Sequence, residues 1–389
     1  MKKKVLFVIH QLTIGGAQNS MLAALNAIDY NKFDVDLYIR KNRLDLLDRV
    51  NRKVNIIVND DKHHYYRKPY AILLQLKCSF FGLLKNEKKK NECIHLLTKR
   101  INNEMLNYEF NKFFSLSYYD IAISYIDGWQ SRLVSEKIKA EKKICFHLSS
   151  DTNATEENRK SFPHFHRIVT DSYSSQGLLQ KSYPDVADRI CVIKNYIDAE
   201  EIKQKALEQV EIKNDKKIII ATCARFTQPK GFDLAINAAQ ILKLKGYDFV
   251  WFFIGDGIER DRLEIMIHDA SLDGSIVITG IMNNPYPLFN LCNIYVQPSR
   301  EESYGLTITA AMILCKPVVS TKTAGGTEQI IDKFNGIITG FSAEEIADGI
   351  ECLLKNDCLR ESIEKELSYI DYSKNFGIFK EQWRELLEG

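Results

Sequence analysis

Residues 301–319 read EESYGLTITAAMILCKPVV, directly after the apolar run NIYVQPS at 293–299. A buried strand hands over here to a helix through a bend that holds Glu301, Glu302 and Gly305. The first N–H groups of a helix lack intrahelical acceptors and carry the positive end of its dipole, so such a bend suits an anion. Two carboxylates beside it suit hydroxyl groups. Two turns further on, Ala310 places a bare methyl on the face where a polar side chain would complete such a site. The stretch therefore poses a choice between an ordinary strand-to-helix junction and a binding site with one group missing.

Working outward, the same strand-then-helix unit recurs. KVLFVIH, FDVDLYI, VNIIVN, YDIAISYI, KKICFHL, RIVTDS and ICVIKN are short β-branched runs, each followed by a helix-like stretch. The rhythm pauses at the charged segment DAEEIKQKALEQVEIKNDKK. It then restarts with IIIATCARF, FVWFFIGDG, SIVITGI, NIYVQPS, KPVVSTK and GIITG. Apolar strands alternating with helices predict parallel sheets covered on both faces. The pause predicts two doubly wound α/β domains, residues 1–198 and 199 onward. Ligands of such sheets bind beyond the carboxyl ends of the strands, which directs attention to the strand-to-helix loops.

The totals agree with that organisation and exclude others. A chain of 389 residues exceeds one ordinary core, and 45% hydrophobic with 27% charged residues is normal for a folded soluble protein. A net charge of +2 argues against a nucleic-acid binder. The nine cysteines are scattered without a CxxC pair, which predicts reduced thiols in a cytoplasmic protein. MKKKVLFVIHQL has too short an apolar run for a signal peptide and reads as a first buried strand. No run approaches the ~18 apolar residues of a membrane span. Residues 62–112 carry eleven Lys or Arg against four Glu, interleaved with YAILLQL, CSFFGLL and CIHLL. That pattern suits peripheral contact with an anionic membrane; the competing reading is an apolar face packed on the domain with solvated lysines.

Several loops could carry chemistry. Gly15 and Gly16 follow the first strand and let the backbone approach a ligand, but the pattern is not GxGxxG. Arg225 and Lys230 lie five residues apart in CARFTQPKGFD, where a fork and a point charge could clamp a diphosphate. Taken alone, they read equally well as solvated loop cations; Gly305 and Leu306, opening a helix toward the same anion, favour the clamp. His147 and His10 each end a strand, and His147 is the better candidate for a cleft-facing polar group. Asp34-Val35-Asp36 is a D-x-D inside an alternating strand, and no His/Cys cluster has ligand spacing, so no metal site is expected. G-x-S-x-G and P-loop signatures are absent, which leaves hydrolase and kinase readings little support.

Taken together, GGAQ, HLSSD, VIKNYID, ARFTQPKGFD, IGDG, SREESYGLTITAAMILCKPVV and AGGTEQII resemble the retaining glycosyltransferases of family 4, in order and over nearly the whole chain. YDIAISYIDGW and FHLSSD are similar to enzymes that assemble surface polysaccharides. The resemblance implies the GT-B fold of two Rossmann-like domains facing a cleft: an acceptor-binding domain, 1–198, a donor-binding domain, 199–368, and a last helix, 369–389, crossing back to the first. It implies transfer of a sugar from a nucleoside diphosphate, UDP first, to an acceptor hydroxyl with retention and without metal or cofactor. Arg225 and Lys230 would hold the departing diphosphate, Glu302 the donor sugar, and His147 would face that sugar from the other domain. Gly15, Gly16, Gly280, Ile281, Ser303, Tyr304, Gly305, Leu306, Thr307 and Ala310 complete the donor-binding set. The acceptor would be a glycan, a lipid-linked sugar or a protein.

Two positions depart from the family. Ala224 stands for the usual Gly before the arginine. More consequentially, the family pattern is Glu, seven residues, Glu, and counting from Glu302 the second Glu falls on Ala310. Eight helical residues span ~12 Å, the reach from a donor sugar to its ribose. Losing two charge-assisted bonds to the ribose costs about 2–4 kcal/mol, or roughly 30- to 1000-fold in affinity. Three explanations stand open: an engineered Glu-to-Ala change, a natural variant holding ribose through Thr309 or Glu328, or a non-catalytic GT-B subunit binding glycan or a partner protein. A sugar-nucleotide epimerase of similar fold would place more carboxylates and histidines in the cleft.

Overall fold

In a computed structural model of the chain, residues 1–59, 103–149, 152–210 and 218–389 are described. Each of the β-branched runs in the two alternating series quoted above contains a strand. The first sheet comprises β1 (Lys3–Ile9), β2 (Phe33–Ile39), β3 (Asn55–Val58), β4 (Tyr119–Tyr125), β5 (Ala140–Phe146), β6 (Arg167–Thr170) and β7 (Ile190–Val192). The second comprises β8 (Ile218–Cys223), β9 (Phe249–Ile254), β10 (Ile276–Gly280), β11 (Ile294–Gln297), β12 (Val318–Thr321) and β13 (Ile337–Thr339). The strand orders are β3-β2-β1-β4-β5-β6-β7 and β10-β9-β8-β11-β12-β13, and neighbouring strands within each sheet run parallel. The helices used below are α1 (Gly16–Ala27), α2 (Tyr173–Ser182), α3 (Phe232–Leu244), α4 (Leu306–Ile313) and α5 (Asn375–Glu388).

Alternation along β1 shows why the first sheet is covered on both faces. Val5, Phe7 and Ile9 enter one apolar core, and Leu6 and Val8 enter the other. In the second domain all of β9, FVWFFI, is buried. The order reverses direction between β1 and β4 in one sheet and between β8 and β11 in the other. Loops leaving strands at such a reversal diverge and open a crevice at the carboxyl edge. Gly15 and Gly16 follow β1, Arg225 follows β8, and Glu302 follows β11, so the candidate residues cluster at the two reversals.

The last helix belongs to the core of the first sheet. Phe379, Trp383, Leu386 and Leu387 of α5 are buried with Phe7 and Phe146. The Trp383 ring lies parallel to Phe146 at 5.1 Å and close to Phe7 at 5.8 Å. Lys142 of β5 donates its Nζ to the Leu386 carbonyl at 2.7 Å, satisfying an end-of-helix acceptor.

Residues 60–102, most of the basic-apolar stretch considered for membrane contact, lie outside the described residues, as do Cys78 and Cys93. The described end of that stretch, 103–113, is helical and packs on the domain. Leu106 is buried, and Glu109 accepts from Tyr38 Oη at 3.0 Å and from Arg40 Nε at 3.1 Å. The cysteines among the described residues are free, and burial pushes the thiols of Cys223 and Cys292 up to about 12. Among the described residues no helix is long and apolar enough to cross a membrane.

Truncating Trp383 removes the largest buried side chain by which α5 holds the first domain. Trp383→Ala is expected to lower unfolding stability by about 3–5 kcal/mol in urea titration. A loss below about 1 kcal/mol would show that the helix is not part of that core.

Candidate active site

The donor half of the site begins at β8. After Arg225, Phe226 turns inward and is fully buried, which fixes the loop while leaving Arg225 exposed. A single 3₁₀ turn, Gln228–Lys230, carries Pro229 and ends on Gly231, whose φ of 69° starts α3 from the left-handed region. A Cβ on Gly231 would lie 2.0 Å from the Pro298 carbonyl oxygen, so only glycine lets the loop after β8 touch the loop after β11. The contact continues through Arg300, whose N–H donates to the Pro229 carbonyl at 2.7 Å. Its guanidinium grips Asp233 in a two-bond fork at 2.8 and 2.7 Å. Burial alone would raise the Asp233 carboxyl, but the bonds and charge of Arg300 hold it below the usual carboxylate range.

This clamp brings Lys230 to Glu302: Nζ to Oε2 is 2.7 Å, with both side chains mostly covered. The buried amide of Gln297 orients the same carboxylate, donating to Glu302 Oε2 at 3.3 Å and to Ser299 Oγ at 2.8 Å. The Oε1 atom of Gln297 accepts from Tyr295 Oη at 3.0 Å and Thr307 Oγ1 at 3.1 Å. Gly305, at φ 87°, turns the chain into α4, whose first N–H groups open at the same edge. Arg225 makes no side-chain hydrogen bond or ion pair among the described residues, so its fork is available to an anion.

The first domain closes over this edge. A Cβ built on Gly16 would lie 3.6 Å from Leu306 Cδ1, and one on Gly15 would lie 4.0 Å from Arg225 Nη2. Gly15, Gly16, Arg225, Lys230, Glu302, Gly305 and Leu306 are thus brought together. Gly280, at φ 76°, accepts from the Gly255 N–H at 3.0 Å, and Ile281 beside it is exposed, at the end of edge strand β10.

Other candidates are placed differently. His147 is only 1% exposed. Its Nδ1 lies 3.0 Å from Asp127 Oδ2, which also accepts from Asn158 Nδ2 at 3.0 Å. Burial would raise Asp127, yet His147 and Asn158 hold it below its ordinary value. His147 therefore lies beneath the cleft surface. His10 is half-buried, and desolvation with the charges of Arg40 and Lys41 lowers it to about 4. Thr307 spends its hydroxyl on Gln297. Ser303 donates to Asp171 of the first domain at 3.1 Å. Tyr304 is tied back through its carbonyl, which accepts from Gln329 Nε2.

Ala310 is 2% exposed and packs in the apolar core of the second domain. The substitutes considered for the ribose are engaged elsewhere. Thr309 Oγ1 donates to Gln329 Oε1 at 2.6 Å. Glu328 accepts from the Ser174 N–H at 3.2 Å and pairs with Lys194 at 3.0 Å. In the D-x-D, Asp36 accepts from Asn55 Nδ2 and Tyr119 Oη, and Asp34 pairs with Lys2. Sequence reasoning missed Gln297, Arg300, Asp233, Asp127 and Asp171. Arg300, Asp233 and Asp127 lie inside the motifs SREESYGL, ARFTQPKGFD and YDIAISYIDGW, but their partners are remote in sequence.

Gly231→Ala and Gly246→Ala separate steric contact from backbone strain, because Gly246 has φ 88° but open space around its Cβ. Gly246→Ala should cost about 1 kcal/mol and Gly231→Ala at least about 2 kcal/mol more in thermal unfolding. Equal costs would contradict the loop contact.

Comparison with known proteins bears on the fold and the family. The family model described as Glycosyl transferases group 1 matches residues 203–370. The alpha-D-kanosaminyltransferase of Streptomyces kanamyceticus is 31% identical over 163 residues, 41% of this chain and 42% of that protein. An N-acetylgalactosaminyltransferase of Campylobacter jejuni, acting on N-acetylgalactosamine-N,N'-diacetylbacillosaminyl-diphospho-undecaprenol, is 27% identical over 173 residues, 44% of this chain and 46% of that protein. The chain thus spans less than half the length of these curated relatives. Over whole chains, the structure of Anabaena HepE with UDP and glucose superposes with TM-score 0.70 at 16% identity, covering 99% of both. A glycosyltransferase of Rickettsia africae superposes with TM-score 0.70 at 18% identity, covering 100% of this chain and 98% of that one. The chain has the GT-B fold, and its residues 203–370 match the family model of the group 1 glycosyl transferases.

Proposed function

We propose that the protein transfers a hexosyl group from a UDP-sugar to an acceptor hydroxyl with retention, without a metal, in surface glycan synthesis. One observation carries the reading: a free guanidinium, a lysine and the start of α4 converge at the carboxyl edge where two parallel sheets meet. That set supplies the positive charge a departing diphosphate requires. In the ligand-free arrangement Lys230 is held by Glu302. Phosphate oxygens draw the ammonium toward the diphosphate and release the Glu302 carboxylate to accept sugar hydroxyls. Arg225 closes on the diphosphate from the side of Gly15, and the first N–H groups of α4 meet it end-on. With no nucleophile evident at the sugar, retention by front-face displacement fits, since it needs only positioning and stabilisation of the leaving group.

The relatives support the direction of the reading. One acts on a diphospho-undecaprenol-linked sugar and another is a poly(ribitol-phosphate) alpha-N-acetylglucosaminyltransferase of Staphylococcus aureus. A lipid-linked or polymeric glycan acceptor, met at the inner face of the cell membrane, follows as part of the proposal.

Ala310 favours a weakened ribose contact over a lost fold. A helical side chain leans toward the preceding turn, here Leu306 and Thr307, and Leu306 faces Gly16 across the cleft. The proposal places the ribose beside that turn, within reach of a carboxylate that extends past the methyl now covered by the core. Ala310→Glu is therefore expected to tighten UDP binding at least about tenfold by calorimetry. Unchanged affinity would show that ribose is held by other groups. A thermal-shift panel of nucleotides tests the donor reading itself: UDP should stabilise the protein above free uracil. No shift with any nucleotide at millimolar concentration would favour a glycan- or partner-binding subunit instead.

A further inference from the structure

Asp171 follows β6, far in sequence from every donor motif, yet it meets the donor loop. Its side chain is 3% exposed. The Oδ2 atom accepts from Ser303 Oγ of the second domain at 3.1 Å and from Asn195 Nδ2 at 3.2 Å. The Oδ1 atom is buried with no hydrogen-bond partner among the described residues. Ser303 sits between Glu302 and the Gly305 turn, so whatever holds Ser303 sets where that carboxylate and the start of α4 lie. Asn195 ties the same point to the first domain, since Ser20 Oγ donates to its Oδ1 and also bonds Tyr125 Oη at 2.8 Å.

We infer that Asp171 is a positioning residue for the donor site, holding the Glu302–Gly305 turn against the first domain through Ser303. The inference rests on the donor reading above.

The charge balance gives the second half of the argument. The titratable groups facing Asp171 are Tyr125 at the end of β4, His147 after β5, and Glu302 and Tyr304 from the donor turn. None is lysine or arginine, and Glu302 repels a second carboxylate. Burial, the larger cause, and Glu302 outweigh the Ser303 bond and push the Asp171 carboxyl up to about 6. Separating the domains exposes the group and returns it toward its ordinary value. The closed arrangement therefore binds a proton more tightly than the open one. Closure is fully favoured below the ordinary carboxylate range and weakens as pH rises through about 6.

An asparagine in place of Asp171 keeps an acceptor for Ser303 and Asn195 and removes the charge. Hydrogen exchange of the ligand-free protein, followed on peptides covering residues 301–307 and corrected for the intrinsic rate, reads the latch directly. Between about pH 5.5 and pH 7.5, protection in the wild type should fall at least about threefold. Asp171→Asn should stay protected at both values, and Ser303→Ala should be unprotected at both. UDP affinity at fixed pH reads the consequence. Asp171→Asn should bind at least about threefold tighter than the wild type near pH 7.5 and equally near pH 5.5. Identical pH courses for wild type and Asp171→Asn, or wild-type protection in Ser303→Ala, would overturn the inference. If the exchange pattern holds but no form binds UDP, the donor reading fails and Asp171 is left as a latch between domains, not a positioning residue.

Discussion

The site depends on one backbone contact. Gly231 lets the loop after β8 lie on the Pro298 carbonyl of the loop after β11, and no side chain fits between them. These two strands flank the reversal in the second sheet, so their loops would otherwise splay apart. The contact, reinforced by the Arg300–Asp233 fork, turns divergent loops into a single edge. Lys230, Glu302, Gly305 and the start of α4 then occupy a common surface with Arg225. Neither loop alone presents this charge pattern.

Much of this was legible in the sequence because the signals are local. Apolar runs of strand length marked every strand, and Gly and Pro marked the turns that bear Arg225, Lys230 and Gly305. The periodic Phe376, Phe379, Trp383 and Leu386 marked a terminal helix, which the structure lays against Phe7 and Phe146. What was not legible is pairing across distance. Asp171 to Ser303, Glu328 to Ser174 and Arg300 to Asp233 join residues 132, 154 and 67 positions apart. Nothing in composition or spacing marks such partners. His147 was located correctly at a strand end, but burial beside Asp127 depends on Asn158 and Phe162, which lie in a later helix and turn.

The two domains contribute unequally. The second supplies charge and helix N–H groups, whereas the first supplies close approach at Gly15 and Gly16 and a polar anchor at Asp171. On the proposed reading, a cleft built this way would separate binding of a diphosphate from closure over it. The ion pair between Lys230 and Glu302 keeps both groups in place without ligand, so on that reading binding would exchange one partner for another with little side-chain ordering. Under the proposed reading, Ala310, a buried methyl on α4, stands at the ribose end of the same edge.

A crystal structure of the protein soaked with UDP tests the central claim most directly. The account predicts the diphosphate at the carboxyl edge of the second sheet, within about 3.2 Å of the Arg225 guanidinium, Lys230 Nζ and the first N–H groups of α4. Lys230 should then have moved away from Glu302. A diphosphate bound elsewhere, with Lys230 and Glu302 still paired, would contradict the account.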